Sequence, residues 1–79
     1  MEPFLVTLEP TSQEEPPSTH DGEEFIFVLE GEIEVLLGEK KELLAPEDSI
    51  YYDSSLPHRV RSVGDRSARI VAVLYTQEK

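Results

Sequence analysis

Glu24-Phe25-Ile26-Phe27-Val28-Leu29, Glu30-Gly31 and Glu32-Ile33-Glu34-Val35-Leu36-Leu37 form the stretch whose reading decides the fold. The first part is rich in β-branched and aromatic residues, which suit a pleated surface buried against a core. Glu30-Gly31 supplies a turn, because glycine reaches positive φ without a side-chain clash. Glu32 to Val35 then alternates polar and apolar residues, the period-2 pattern of a strand with one wet face. Together these parts read as strand, turn, strand.

The same pattern continues on both sides. Gly38-Glu39-Lys40 turns the chain into a short strand over Lys41 to Leu44, and Ala45-Pro46-Glu47-Asp48 turns it again into Ser49-Ile50-Tyr51-Tyr52. Asp53 to Pro57 breaks the pattern, His58 to Ser62 is a short strand, and Val63-Gly64-Asp65-Arg66 is a turn before the long apolar strand Ala68 to Tyr75. Toward the N-terminus, Phe4 to Leu8 is a further strand. Glu9 to Thr19 holds three of the six prolines, which remove backbone donors that a central strand needs, so it reads as an exposed loop. No segment carries an apolar i, i+3, i+4, i+7 stripe, so helix is expected to be almost absent. Short strands at this spacing predict an all-β sandwich or barrel.

Phe25 to Leu29 and Ile70 to Tyr75 carry large apolar residues at odd and even positions alike, so both faces of these strands want cover. Leaving such side chains in water forgoes roughly 1.5–3 kcal/mol of burial each. The N-terminal strand covers part of the second face, and a homodimer is the expected solution for the rest.

A chain of 79 residues has material for one domain, 1–79, and no cysteine to staple it. Seventeen acidic residues against seven basic ones give a net charge of −10, which repels phosphate backbones and anionic membrane surfaces. Direct nucleic-acid or membrane binding is therefore not expected. The start Met1 to Val6 lacks a secretory pattern, no stretch approaches the ~18 apolar residues of a membrane span, and a cytoplasmic location is the default expectation.

His20-Asp21-Gly22-Glu23-Glu24, continuing through Gly31, resembles the first motif of the cupin superfamily, with Glu24 and Gly31 at the family spacing. Pro46 to Val60 resembles the second, with His58 at the place of its histidine. The blocks Gly22 to Val35 and Asp53 to Val60 are most similar to cupin domains that follow helix-turn-helix domains in bacterial regulators of the XRE type. This resemblance implies a small antiparallel jelly-roll β-barrel. It also implies a ligand-sensing, dimerising module that binds a small-molecule effector inside the barrel, with the DNA-binding domain elsewhere in the native protein. Some positions depart from the family. Ser18 stands where the first family histidine falls, so one of four usual metal ligands is missing, and Glu47, Asp53 and Ser55 replace glycines and a proline of the second motif.

His20, Glu24 and His58 are the candidate metal ligands. Two imidazoles and one carboxylate suit Fe(II) and also accept Mn, Ni or Zn, with positions left open. Residues four apart in a straight strand lie ~13 Å apart, so the chain has to bend at Asp21-Gly22 to bring His20 to Glu24. Without a metal, the same groups could grip a polar effector. Tyr51 and Tyr52 point to opposite faces of one strand, and Tyr51 is placed with His20, Glu24 and His58 among the ligand-binding residues. Arg59 and Arg61 share a face, where they hold an anion or pair with nearby carboxylates. A metal-dependent isomerase or oxygenase is the rival to the sensor, and a barrel that has lost its ligand is a third reading.

Overall fold

Seven strands, with no helix among the described residues, make up the computed structural model of the chain, which describes residues 2–11 and 16–76. They are β1 (Glu2–Leu8), β2 (Glu23–Glu30), β3 (Ile33–Leu37), β4 (Lys40–Leu44), β5 (Ser49–Asp53), β6 (His58–Ser62) and β7 (Ala68–Tyr75). A four-stranded sheet runs β1-β7-β2-β5 and a three-stranded sheet runs β4-β3-β6, every pair antiparallel. The expected all-β jelly roll is present, but its sheets face each other without closing into a hydrogen-bonded barrel. Part of the expected proline-rich loop, residues 12–15, lies outside the described residues.

Strand alternation builds the core. Ile26 and Val28 of β2, Ile33 and Val35 of β3, and Ala68 and Ile70 of β7 are all buried, with Tyr52 of β5 among them. Val6 and Leu8 of β1 and Val60 of β6 pack around this cluster. The intervening residues of β3 and β6 face outward, where Glu34 and Arg61 are cross-strand partners and form an ion pair at 3.2 Å. Carboxylate pairing is thus the use of Arg61.

The turns are held by specific contacts. Gly31, between β2 and β3, has φ of 78°, and a Cβ there would lie 2.7 Å from the Ser67 carbonyl oxygen, so glycine is required twice over. The β4–β5 turn is tied to β2 by two backbone bonds, Val28 N–H to the Asp48 carbonyl at 2.9 Å and Glu47 N–H to the Val28 carbonyl at 2.8 Å. Glu47, at a family glycine position, takes φ of 74°, the left-handed region unfavourable to a residue with a Cβ.

One short segment stitches the two sheets together. Ser18 exchanges both backbone hydrogen bonds with His58 of β6, at 2.9 and 3.0 Å, and His20 N–H donates to the Ser54 carbonyl just beyond β5, at 3.0 Å. Residues 18–20 therefore run from one sheet to the other, and His20 sits where they meet. No helix of the described residues is long and apolar enough to cross a membrane.

Candidate metal centre

Glu24 sits on the inward face of β2, directly opposite Tyr52 of β5, and is buried. A buried carboxylate needs partners, because each unmet oxygen forfeits its hydration. Tyr52 Oη–H donates to Glu24 Oε2 at 2.8 Å and Ser54 Oγ–H donates to Oε1 at 3.3 Å. Burial, together with the hydrogen bond to and negative charge of Glu24, pushes the Tyr52 phenol far above its ordinary range. Tyr52 is therefore a fixed neutral donor.

Two imidazoles converge on the other side of the carboxylate. His20 Nε2 lies 2.8 Å from Glu24 Oε1 and His58 Nε2 lies 3.2 Å from the same oxygen. Between His20 and Glu24 the chain bends at Gly22, whose φ is 106° and where a Cβ would collide with the Tyr75 carbonyl oxygen. The bend expected at Asp21-Gly22 is thus in place. His58 comes from the start of β6 and is buried, whereas the His20 side chain is 45% exposed and forms the solvent side of the site. The two rings meet edge to face at 5.1 Å between centroids, and Tyr52 tilts against His58 at 5.2 Å.

The outer nitrogens of both rings settle which atoms face inward. His58 Nδ1 lies 2.8 Å from the Leu56 carbonyl oxygen and His20 Nδ1 lies 3.2 Å from that of Asp21. A carbonyl only accepts, so each Nδ1 carries the proton and each Nε2 lone pair of a neutral ring points at Glu24. Two lone pairs meet a carboxylate oxygen favourably only across positive charge, either protons on the nitrogens or one cation shared by all three groups. The ligand atoms lie within 4.8 Å of one another, close enough for a single ion. The backbone carbonyls behind the histidines are the usual orienting partners of metal-bound imidazole. The residues therefore fit a divalent ion.

Tyr51 is not part of this cluster. Its neighbour Tyr52 shares the Glu24 face by register, so alternation sends Tyr51 to the outer face, where it is 64% exposed. There it lines an open depression of about 350 Å³ with Glu23, Phe25, Val73 and Tyr75. The placement of Tyr51 inside is corrected to Tyr52, because the side of a strand that faces inward depends on pairing register, and nothing local in Tyr51-Tyr52 encodes it. Ser54 was missed for a similar reason: its hydroxyl matters only because the chain beyond β5 bends back over Glu24. Ser18, in the first family histidine's place, serves through its backbone bonds to His58.

A jelly roll with a His-Glu-His cluster between its sheets defines a metal-capable β domain. The sequence profile of the Cupin_2 family, a cupin domain, matches residues 4–74, and the chain belongs to that family. It is 43% identical over 61 residues to (S)-2-hydroxypropylphosphonic acid epoxidase of Streptomyces wedmorensis, covering 71% of this chain and 31% of the epoxidase. The chain thus spans less than a third of that relative. A crystal structure of the Fe(II) form of that enzyme, HppE, with its substrate superimposes with a TM-score of 0.80 at 34% identity, over 92% of this chain and 44% of the other. The Cupin_2 domain of an XRE family transcriptional regulator from Enterobacter cloacae superimposes with a TM-score of 0.83 at 19% identity, over 96% and 81%, a likeness of fold.

Proposed function

We propose that this domain is the metal-carrying module of a mononuclear non-haem Fe(II) enzyme acting on a small hydroxylated acid, with His20, Glu24 and His58 as the ligands. One observation carries the proposal: the Nε2 atoms of both histidines converge on one Glu24 oxygen while both Nδ1 atoms are bonded to backbone carbonyls. A bound Fe(II) supplies Lewis acidity and electron transfer at its open positions. The chain supplies the frame for that chemistry. Leu56 and Asp21 hold the rings in one tautomer, Tyr52 and Ser54 hold the carboxylate, and the stitched segment 18–20 leaves the His20 side open for substrate to enter. The likeness to an epoxidase of 2-hydroxypropylphosphonic acid supports a hydroxylated phosphonate as the first substrate class to test.

The test is anaerobic. Fe(II)-loaded protein is mixed with (S)-2-hydroxypropylphosphonic acid, and the metal's absorption and magnetic spectra are followed. The proposal expects a saturable spectral change that His58→Ala abolishes. No change at millimolar ligand, with metal demonstrably bound, would count against this substrate class.

A second reading, the ligand-sensing and dimerising domain of a bacterial transcriptional regulator, is supported by the outer face of the four-stranded sheet. Pro3, Val73, Phe25 and Tyr51 form one row across it, and Leu5, Val71 and Phe27 form the next. We assign this face to a second copy of the chain. Two chains of net charge −10 approach at least Coulomb cost through a surface whose centre is uncharged. The sensor reading predicts that a small molecule raises the thermal stability of the metal-free protein, and that the natural reading frame encodes a helix-turn-helix upstream. The enzyme reading predicts neither.

A further inference from the structure

Glu24 has two oxygens, and the site uses them differently. Oε1 lies 2.8 and 3.2 Å from the Nε2 atoms of the two histidines, and Oε2 accepts the Tyr52 hydroxyl proton at 2.8 Å. Resting on the metal reading above, we propose that Tyr52 is a positioning residue that restricts Glu24 to one ligand atom. Turning the carboxylate to chelate would pull Oε2 away from the Tyr52 hydroxyl and leave a buried donor unpaired, so the favoured arrangement supplies three protein donors rather than four. Three positions of an octahedral ion are then free for substrate and co-substrate, whereas a chelating carboxylate would leave two.

Three observations make the restriction firm. Tyr52 lies directly opposite Glu24 in the β2–β5 register, so the backbone ladder sets the reach of its side chain. It is 5% exposed and its ring packs against the His58 ring, so moving it disturbs a ligand. Ser54, fully buried, donates from the same strand end to Oε1, which keeps a second lone pair for an ion shared with the histidines. Merely satisfying a buried carboxylate would require donors but no particular division of them. Here each oxygen has its own donor, and the oxygen facing the histidines has the longer, weaker bond.

Infrared difference spectra of the Zn(II)-loaded minus the metal-free protein test this directly. Zn(II) is d10 and redox-inert, with no geometric preference from its d-electrons, so the carboxylate's denticity is set largely by the protein. A carboxylate bound through one oxygen separates its antisymmetric and symmetric stretches widely, and chelation brings them together. The expected result is wide separation in wild type and in Ser54→Ala, and narrow separation in Tyr52→Phe, whose Zn(II) stoichiometry stays at one and whose affinity changes less than tenfold. Narrow separation in wild type overturns the proposal whatever the variants do. So does an unchanged separation in Tyr52→Phe. Failure of the wild-type protein to take up Zn(II) is a different result, because it removes the metal reading together with this one.

Discussion

Asp53 accepts hydrogen bonds from the Ser55 backbone N–H and hydroxyl, at 2.9 and 2.8 Å, and these hold its carboxyl below the usual value of 3.8. The sign follows from linkage. A carboxyl with a lowered folded-state pKa adds stability above the unfolded value, and that contribution is lost as pH falls through the folded one. Ser55→Ala deletes the hydroxyl bond and leaves the backbone bond. The Asp53 carboxyl, followed by NMR titration, should rise part of the way toward 3.8. A value unchanged from wild type would mean that the hydroxyl contributes nothing. This turn occupies a segment where the family pattern has glycine and proline, and Asp-Ser chemistry does the same local work through side-chain bonds to the backbone.

At the residue scale the site was partly legible from the sequence. His20, Glu24 and His58 stand out because they are the chain's two histidines and the one carboxylate that falls at the glutamate position of the first cupin motif, and the glycine between the first two offers the bend they need. Tyr52 and Ser54 were not legible. Their roles arise from which strand lies opposite Glu24, and a tyrosine pair looks the same whichever member faces inward.

Elements were easier to read, because alternation and turn chemistry are local. The strands β6 and β7 begin and end where the pattern places them, and the others differ by one or two residues at their ends, as fraying ends do. What local pattern cannot give is the strain stored in a turn. Glu47, at φ of 74°, holds the β4–β5 turn against β2 in a conformation that costs a residue with a Cβ about 1–2 kcal/mol. Glu47→Gly should therefore stabilise the fold by about 0.5–1 kcal/mol, after allowance for glycine's unfolded-state freedom. Chemical denaturation measures this, and a loss of stability would contradict it. Gly31→Ala should act in the opposite direction. It places a Cβ 2.7 Å from the Ser67 oxygen in a left-handed conformation, and a loss of at least about 1–2 kcal/mol is expected in the same assay. A neutral Gly31→Ala would mean that the β2–β3 turn has room to move away from β7.

For the whole molecule, two features have to be reconciled: a small core and a broad uncovered face. The core is confined to one layer between the sheets, while Phe25, Leu29, Tyr51 and Tyr75 are exposed on or beside the outer face of the larger sheet. The two-faced apolar character of β2 and β7 was legible as a need for cover, because it depends only on composition at alternate positions. The partner was not legible, since any apolar surface of matching shape satisfies the same pattern. If a second copy covers the face, sedimentation equilibrium gives twice the chain mass for wild type, and Phe25→Glu, placing a carboxylate at the centre, gives a monomer that keeps its β spectrum. A wild-type monomer at all accessible concentrations would contradict the assignment.

One cation held by side chains from three parts of the chain is the feature on which the proposed chemistry depends most. Anaerobic calorimetric titration of Fe(II) into wild type and His58→Ala tests it most directly. The expected result is a single saturable site in wild type and an affinity lower by about 100-fold or more in the variant, since removing a ligand costs at least what loss of an orienting partner does. Equal binding by the two proteins, or no saturable binding by wild type, would contradict it.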